Sequence, residues 1–317
     1  MSSVSSYALR RTGQALLVLA AAFTASFLLL QALPADAILI KFMDPEMGLS
    51  PTQIAEIHAS YGADQPILQQ YLHTLGNFLT GQFGYSIQAG VPVSDSLAAN
   101  LPPTLKLASL SFLAAALLAV LLAFLSNLAG FAWLRALIQS VPALFISIPT
   151  FWLGIMLIQL FSFQLKLVPV ISPGPWERLI LPVATLAVPI SAPLAQILMR
   201  NIDEVLTQPF IAVARAKGAS HLYILWHHVA RNAVLPTLTI AGVLFGELLA
   251  GAVVTEAVFG LGGLGNLTYQ AVSTQDTAVL QAIVVISAAA FVAINLIVDL
   301  LYPVLDPRLG RGLGASA

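Results

Sequence analysis

Six times along its 317 residues this chain runs for about 20 residues or more on almost nothing but apolar side chains, over 13–33, 107–128, 136–163, 179–199, 233–259 and 279–301. A helix rises about 1.5 Å per residue, so about 20 such residues cross the roughly 30 Å of hydrocarbon in a bilayer. In that medium every backbone N–H and C=O must find its partner inside the segment, which a helix alone provides for a single run. The pattern dictates an all-α integral membrane protein with six transmembrane helices. An even number of crossings puts both termini on one side. Composition agrees, with 58% hydrophobic residues, 9% charged residues and a mean hydropathy of +0.90.

Positive residues close to span ends stay on the cytoplasmic side, so their distribution sets the orientation. With the amino terminus inside, Arg10, Arg11, Arg135, Arg200, Arg215, Lys217, Arg231, Arg308 and Arg311 are cytoplasmic, and Lys41, Lys106, Lys166 and Arg178 are outside. The acids Asp36, Asp44, Glu46, Glu56, Asp64, Asp95, Glu177 and Asp276 fall on the outer side. The net charge of −1 thus hides two oppositely biased faces and argues against nucleic acid as a partner. Arg10-Arg11 and Ala35-Asp36-Ala37 flank the first run as they would flank a secretory leader. That run is longer than a leader's apolar core, and a first span is the preferred reading. The chain has no cysteine, which removes disulfides, thiolate metal sites and cysteine nucleophiles together.

Four parts are expected: a cytoplasmic tail with the first span over 1–33, an extracytoplasmic helical segment over 34–92, a five-helix core over 93–303, and a cytoplasmic tail over 304–317. In the second part Ser50-Pro51-Thr52-Gln53 has the form of a helix start, after which Ile54, Ile57 and Tyr61 share a face. Pro66 opens another helix, on which Ile67, Leu68, Tyr71, Leu72, Leu75, Phe78 and Leu79 form an apolar stripe that belongs at the membrane surface or against the spans. In the core, Pro142, Pro149, Pro182, Pro189, Pro193 and Pro236 each free a backbone carbonyl and are expected to bend their helices. Such breaks are tolerated where neighbours or a water-lined cavity satisfy the freed groups, so these spans are candidates for lining a pathway.

Between the fourth and fifth runs lies a charged, glycine-punctuated loop over 201–232. Proline suits the first turn of a helix and glycine the left-handed residue that ends one, so Pro209 to Lys217 predicts a short helix stopped at Gly218. Ser220 is placed to cap the next helix. The first piece, about 13 Å long, is too short to cross a bilayer and long enough to fit a groove on a soluble partner.

Polar groups at membrane depth are costly, which singles out Gln139, Gln159, Gln196, Glu247, Glu256 and Asp299. Glu247, between Gly246 and Gly251, faces a cavity, pairs with a cation or bonds a neighbouring helix; Glu256 lies at the outer end, as a gate residue or an interfacial carboxylate. Asp299 and Arg308 anchor the last span near its inner end. The parts of a catalytic site are missing: there is no Gly-x-x-x-x-Gly-Lys-Ser/Thr phosphate loop, no His-Glu-x-x-His helix and no Gly-x-Ser-x-Gly elbow. His227 and His228 are adjacent, which on a helix sets them about 100° apart and makes a poor metal pair. No catalytic residue and no metal ligand is assigned.

The core Ala214-Arg215-Ala216-Lys217-Gly218-Ala219-Ser220, with Leu235-Pro236 downstream, resembles the "EAA" loop of ABC importer permeases in the dipeptide, oligopeptide and nickel branch. Further matches follow in the family's order: Asp64-Gln65-Pro66 with Tyr71-Leu72, Gly84-Tyr85-Ser86, Leu101-Pro102 with Thr104, Ser147 through Gly154 with Pro149 and Phe151, Gly251 through Glu256 with Phe259-Gly260, and Leu301-Tyr302 with Leu305-Asp306-Pro307-Arg308. Two departures stand out, Ala212 in place of the loop's eponymous glutamate and Gly262 where many relatives carry proline.

The resemblance implies a type I ABC importer permease fold and a place in the bacterial inner membrane. It also implies partners: a second, homologous permease subunit, two cytoplasmic ABC ATPase subunits or domains that hold ATP and Mg, and an extracytoplasmic solute-binding protein. In that scheme residues 214–220 dock into the ATPase, and Pro149, Phe151, Gln196, Glu247 and Glu256 are pathway or gate candidates. Peptides rank first as cargo, with nickel or a metal–chelator complex as the alternative. An ion-driven secondary carrier would need acids at membrane depth and paired broken helices. An intramembrane hydrolase would need a nucleophile and base in facing spans.

Overall fold

The computed structural model describes residues 2–32, 65–169 and 171–305. The helix expected from Ser50-Pro51 lies outside these residues, as do Lys41, the acids from Asp36 to Asp64, and the tail with Arg308 and Arg311.

Apolar runs become helices, with bounds set by local chemistry. Helix α1 spans Ser2–Gln31 and α2 spans Ile67–Leu79, with Pro66 as its extended N-cap residue at ψ 138°. Strands β1 (Tyr85–Ser86) and β2 (Val91–Pro92) form a short antiparallel hairpin, an exception to the all-α expectation. Gly84 and Gly90 sit at positive φ at its ends, where a side chain would strain the backbone. Helix α3 (Val93–Leu128) runs through Pro102 and Pro103 and, at 36 residues or about 54 Å, extends well beyond the predicted span.

The third run departs from expectation. It divides into α4 (Ala132–Ser147) and α5 (Thr150–Leu157), the latter continued by a π-helical segment Ile158–Gln164, and the two halves meet at 100°. Ile148 is extended at φ −90°, ψ 120°, the conformation favoured before a proline, and Pro149 is the N-cap residue of α5. At the other prolines the helix is not interrupted. Pro142 stays inside α4, and α6 (Glu177–Leu206) continues unbroken through Pro182, Pro189 and Pro193.

Beyond α6 come the short α7 (Pro209–Ala216), α8 (His221–Tyr223), a second π-helical segment Ile224–Val229, and α9 (Ala230–Phe259). The stretch from His221 to Leu249 bends by 44° ahead of Pro236. Helices α10 (Leu264–Ser273) and α11 (Thr277–Leu305) complete the described chain. Among the described residues four helices are long and apolar enough to cross a membrane, and up to six spans result if each bent pair counts as one.

The chain divides into two compact units. One holds Leu105–Phe259 with the described residues of both chain ends. Its core sets Ala115, Ala119, Leu122 and Ala123 of α3 among Ala187, Leu194, Ala195 and Leu198 of α6 and Val229, Ala233 and Leu244 around α9. Small residues let membrane helices approach closely. A Cβ on Gly154 would stand 3.2 Å from the Phe259 ring and 3.4 Å from Thr185, and one on Gly242 would stand 3.0 Å from Val298. Asp299 pairs with Arg11 at 3.4 Å, which ties α11 to α1.

The other unit holds the described residues of 13–104 and Gly260–Val292. Val93 and Leu97 pack with Leu264, Ala271, Val279 and Ile283, joined by Phe78 and Phe83. Two buried polar links close it. Thr104 Oγ1 accepts the Leu264 N–H at 2.8 Å, and Asp276, 2% exposed, accepts from Ser86 Oγ at 2.6 Å and from the Val279 N–H at 3.3 Å.

Candidate functional site

The loop between α6 and α9 is built on a split helix face. In α7 the side chains of Ile211 and Ala214 turn inward, and Ile211 is completely buried among Ile202, Ile224, Leu225 and Val229. The opposite side, with Ala212, Val213 and Ala216, is exposed. Burying a side chain of this size contributes about 1.5–3 kcal/mol, so α7 is seated as a rigid piece of its unit despite having only 8 residues.

Its end follows the predicted chemistry. Lys217 is the C-cap residue, Gly218 is left-handed at φ +84°, and the Gly218 and Ala219 N–H groups donate back to Arg215 and Ala214 carbonyls at 2.9 and 3.1 Å. Ser220 then caps α8, its Oγ accepting the Tyr223 N–H at 3.3 Å. The seven predicted residues 214–220 thus form one tight corner, with Ala214 buried, Ala219 half-buried, and Arg215, Ala216, Lys217, Gly218 and Ser220 exposed.

Five large exposed side chains surround this corner and were not singled out from sequence: Phe210 (44%), Val213 (54%), Leu222 (59%), Tyr223 (49%) and Trp226 (64%). In sequence they read as ordinary helix residues; what marks them is their exposure around one corner. Tyr223 stacks on His227 at 4.2 Å and meets His228 edge-on at 5.8 Å, so both histidines are engaged with an aromatic neighbour. His221 Nε2 lies 3.1 Å from the Asn127 carbonyl and links α8 to the end of α3.

Behind the corner, a cleft of about 310 Å³ is lined by Asn201, Glu204, Val205, Gln208, Phe210, Asn232 and Pro236. Asn201 Nδ2 donates across it to the Ala233 carbonyl and to Thr237 Oγ1, both at 3.2 Å, which fastens α6 to α9 directly beside the loop.

The pathway candidates are more scattered. Pro149 and Phe151 sit at the 100° break and are exposed, while Gly154 one turn on lies against Val258 and Phe259 at the end of α9. Glu256 belongs to that same end and is 1% exposed. Gln196 on α6 and Glu247 on α9 are exposed on the surface of the chain. The structure brings the loop residues into one feature and joins the break to the end of α9. It does not bury Gln196 or Glu247 in a site within this chain.

Comparison with known proteins places this architecture. The family described as "Binding-protein-dependent transport system inner membrane component" matches residues 115–311, and its N-terminal companion matches residues 4–108. The chain is 34% identical over 313 residues to a probable peptide ABC transporter permease of Sinorhizobium fredii, covering 96% of this chain and 98% of that protein. It is 34% identical over 284 residues to the glutathione transport system permease GsiC of Escherichia coli K12, covering 89% and 92%. Among solved structures, inward-facing MetNI methionine ABC transporter aligns with a TM-score of 0.58 at 20% identity, over 67% of this chain and 96% of that one. An amino acid ABC transporter aligns with a TM-score of 0.53 at 19% identity, over 66% and 94%. These last two speak for the fold, that of type I ABC importer permeases. With both family segments matched in order and relatives matched over nearly their full length, the chain belongs to the inner-membrane permease subunits of binding-protein-dependent ABC importers.

Proposed function

We propose that this permease carries peptides or closely related small solutes inward, forms half of the translocation pathway beside a second, homologous permease, and receives the work of ATP hydrolysis through the loop around α7. Permeases of this family are not themselves catalytic. ATP and Mg belong to two cytoplasmic ATPase partners, and an extracytoplasmic binding protein delivers cargo. The named relatives are peptide and glutathione permeases, so nickel or a metal chelate is not favoured as cargo.

In this reading the chain crosses the inner membrane six times, each bent pair counting as one span, with both termini cytoplasmic. Residues 1–33 hold the first span, 34–92 an extracytoplasmic insertion, 93–303 the core with its loop at 201–232, and 304–317 a tail. The 100° break at Pro149 supports a pathway role, because a break in a membrane helix is tolerated where it is covered by protein or lines a wet cavity. Pro149, Phe151, Gln196 and Glu247 then face the partner permease or the pathway, and Glu256 belongs to the outer gate.

One observation carries the coupling role: α7 has one side locked into the core by Ile211 and an opposite side that is small, apolar and bare. A partner pressing on that side moves α6 and α9 with it. Ala212 makes the contact apolar where relatives use a carboxylate, and Arg215 and Lys217 supply a charged rim. Charge reversal at Arg215 and Lys217 in the assembled transporter is expected to lower substrate-stimulated ATP hydrolysis while leaving permease insertion unchanged; unaltered stimulation refutes the docking role.

A further inference from the structure

We infer that α2 is a membrane-immersed helix whose Leu68, Leu72 and Leu79 contact the acyl chains of the outer leaflet just below the headgroups. Depth is the first observation. Tyr71 packs edge-on against Phe23 at 5.6 Å and Phe27 at 5.4 Å, its hydroxyl meets Thr24 Oγ1 at 2.9 Å, and Phe78 packs against Phe23 at 5.3 Å. Phe27 and Phe23 lie four and eight residues before the end of α1 at Gln31, which is about 6 and 12 Å down the helix axis. The side of α2 that meets α1 therefore sits at hydrocarbon level and not above it.

Chemistry is the second. Across Ile67–Leu79 there is no Asp, Glu, Lys or Arg. The spacing of Leu68, Leu72 and Leu79 puts them on one stripe beside the Tyr71 and Phe78 contact face, and they are 69%, 58% and 80% exposed. Gln69, His73 and Asn77 occupy the other side. This is the division of an interfacial amphipathic helix, polar toward the headgroups and apolar toward the chains.

Continuity selects lipid as the occupant. Leu28 and Leu29 on the same stretch of α1 are themselves 54% and 71% exposed, and only 17% of the α1 span is buried within the chain. The stripe on α2 thus lies beside a span that is itself largely bare within the chain, as a lipid-facing span is. The inference takes its leaflet from the proposed orientation and holds whatever the transporter carries.

Because the chain lacks cysteine, an introduced one is the single thiol of this subunit, and the unsubstituted complex carried through the same labelling gives the background. In the intact complex in phosphatidylethanolamine–phosphatidylglycerol nanodiscs, Leu68→Cys, Leu72→Cys and Leu79→Cys are each labelled with NBD, with Gln69→Cys and His73→Cys as references. Lipids spin-labelled on the upper acyl chain, below the headgroup, are expected to quench the three stripe positions at least about twofold more than the references, and more than lipids spin-labelled at the chain end do. Quenching of the stripe by aqueous iodide instead would show a water-facing helix. Protection from both quenchers would show a protein partner on this face, and either result overturns the inference.

Discussion

Arg135 in the first turn of α4 donates from Nη2 to Asp203 Oδ1 near the end of α6 at 2.6 Å. Both side chains are about 40% exposed, with relative values of 39% and 41%, so the pair is a guide for helix alignment more than a source of stability. Exposed pairs of this kind contribute about 0.2–1 kcal/mol. Arg135→Ala and Asp203→Ala are each expected to lower the thermal midpoint of the purified complex slightly. In a double-mutant cycle the two effects combine less than additively; strict additivity would show that the pair contributes nothing.

Gly218 gives a cleaner test of backbone strain. A Cβ there meets nothing within 4 Å in the chain, so the folding cost of substitution comes from its φ of +84°. Gly218→Ala is expected to cost about 1 kcal/mol, and Gly218→Val more because β-branching disfavours that region further. Substrate-stimulated ATP hydrolysis should fall in the same order, and equal coupling in glycine, alanine and valine forms would show that the corner is not under conformational demand.

The two faces of α7 separate folding from docking. Ile211→Ala removes a fully buried side chain and is expected to destabilise the permease by about 2–5 kcal/mol. Val213→Asp lies on the exposed face and is expected to leave the thermal midpoint close to wild type while weakening copurification of the ATPase. Should Val213→Asp retain its ATPase at full stoichiometry, the apolar face is not the docking surface.

Asp276 joins the hairpin to the start of α11 through its bonds to Ser86 and the Val279 N–H. Asp276→Ala removes the acceptor of the Ser86 hydroxyl and of the Gln88 and Val279 N–H groups, at a cost of about 1–3 kcal/mol. Limited proteolysis near residues 85–92 should accelerate in this variant and not in Asp95→Ala, an exposed acid at the start of α3.

Much of this was legible in the sequence because it rests on one-dimensional chemistry. The helical character of the apolar runs, the stop at Gly218, the cap at Ser220 and the helix that carries the stripe from Ile67 to Leu79 each follow from residue spacing, and each has its counterpart in the structure. The prolines were not legible in the same way. Pro182, Pro189 and Pro193 share one continuous helix while Pro149 begins a new one, and what decides between them is whether the preceding residue is held extended, as Ile148 is. The apolar rim of Phe210, Tyr223 and Trp226 escaped notice because exposure is a tertiary property. The burial of Glu256 and the exposure of Glu247, nine positions apart on α9, likewise depend on how that helix is turned against its neighbours.

The π-helical segment Ile224–Val229 gives the link between corner and span a mechanical character of its own. Its N–H groups reach back five residues, as the Ala230 N–H does to the Leu225 carbonyl, so the stretch holds one residue more than an ordinary turn. Such slack can be handed along the helix by exchanging fifth-residue bonds for fourth-residue bonds, one at a time, with none left open. If the loop receives work as proposed, a push at Ser220 is expected to emerge in α9 as a twist of up to about 100° per residue transferred, a gearing that a uniform α-helix lacks.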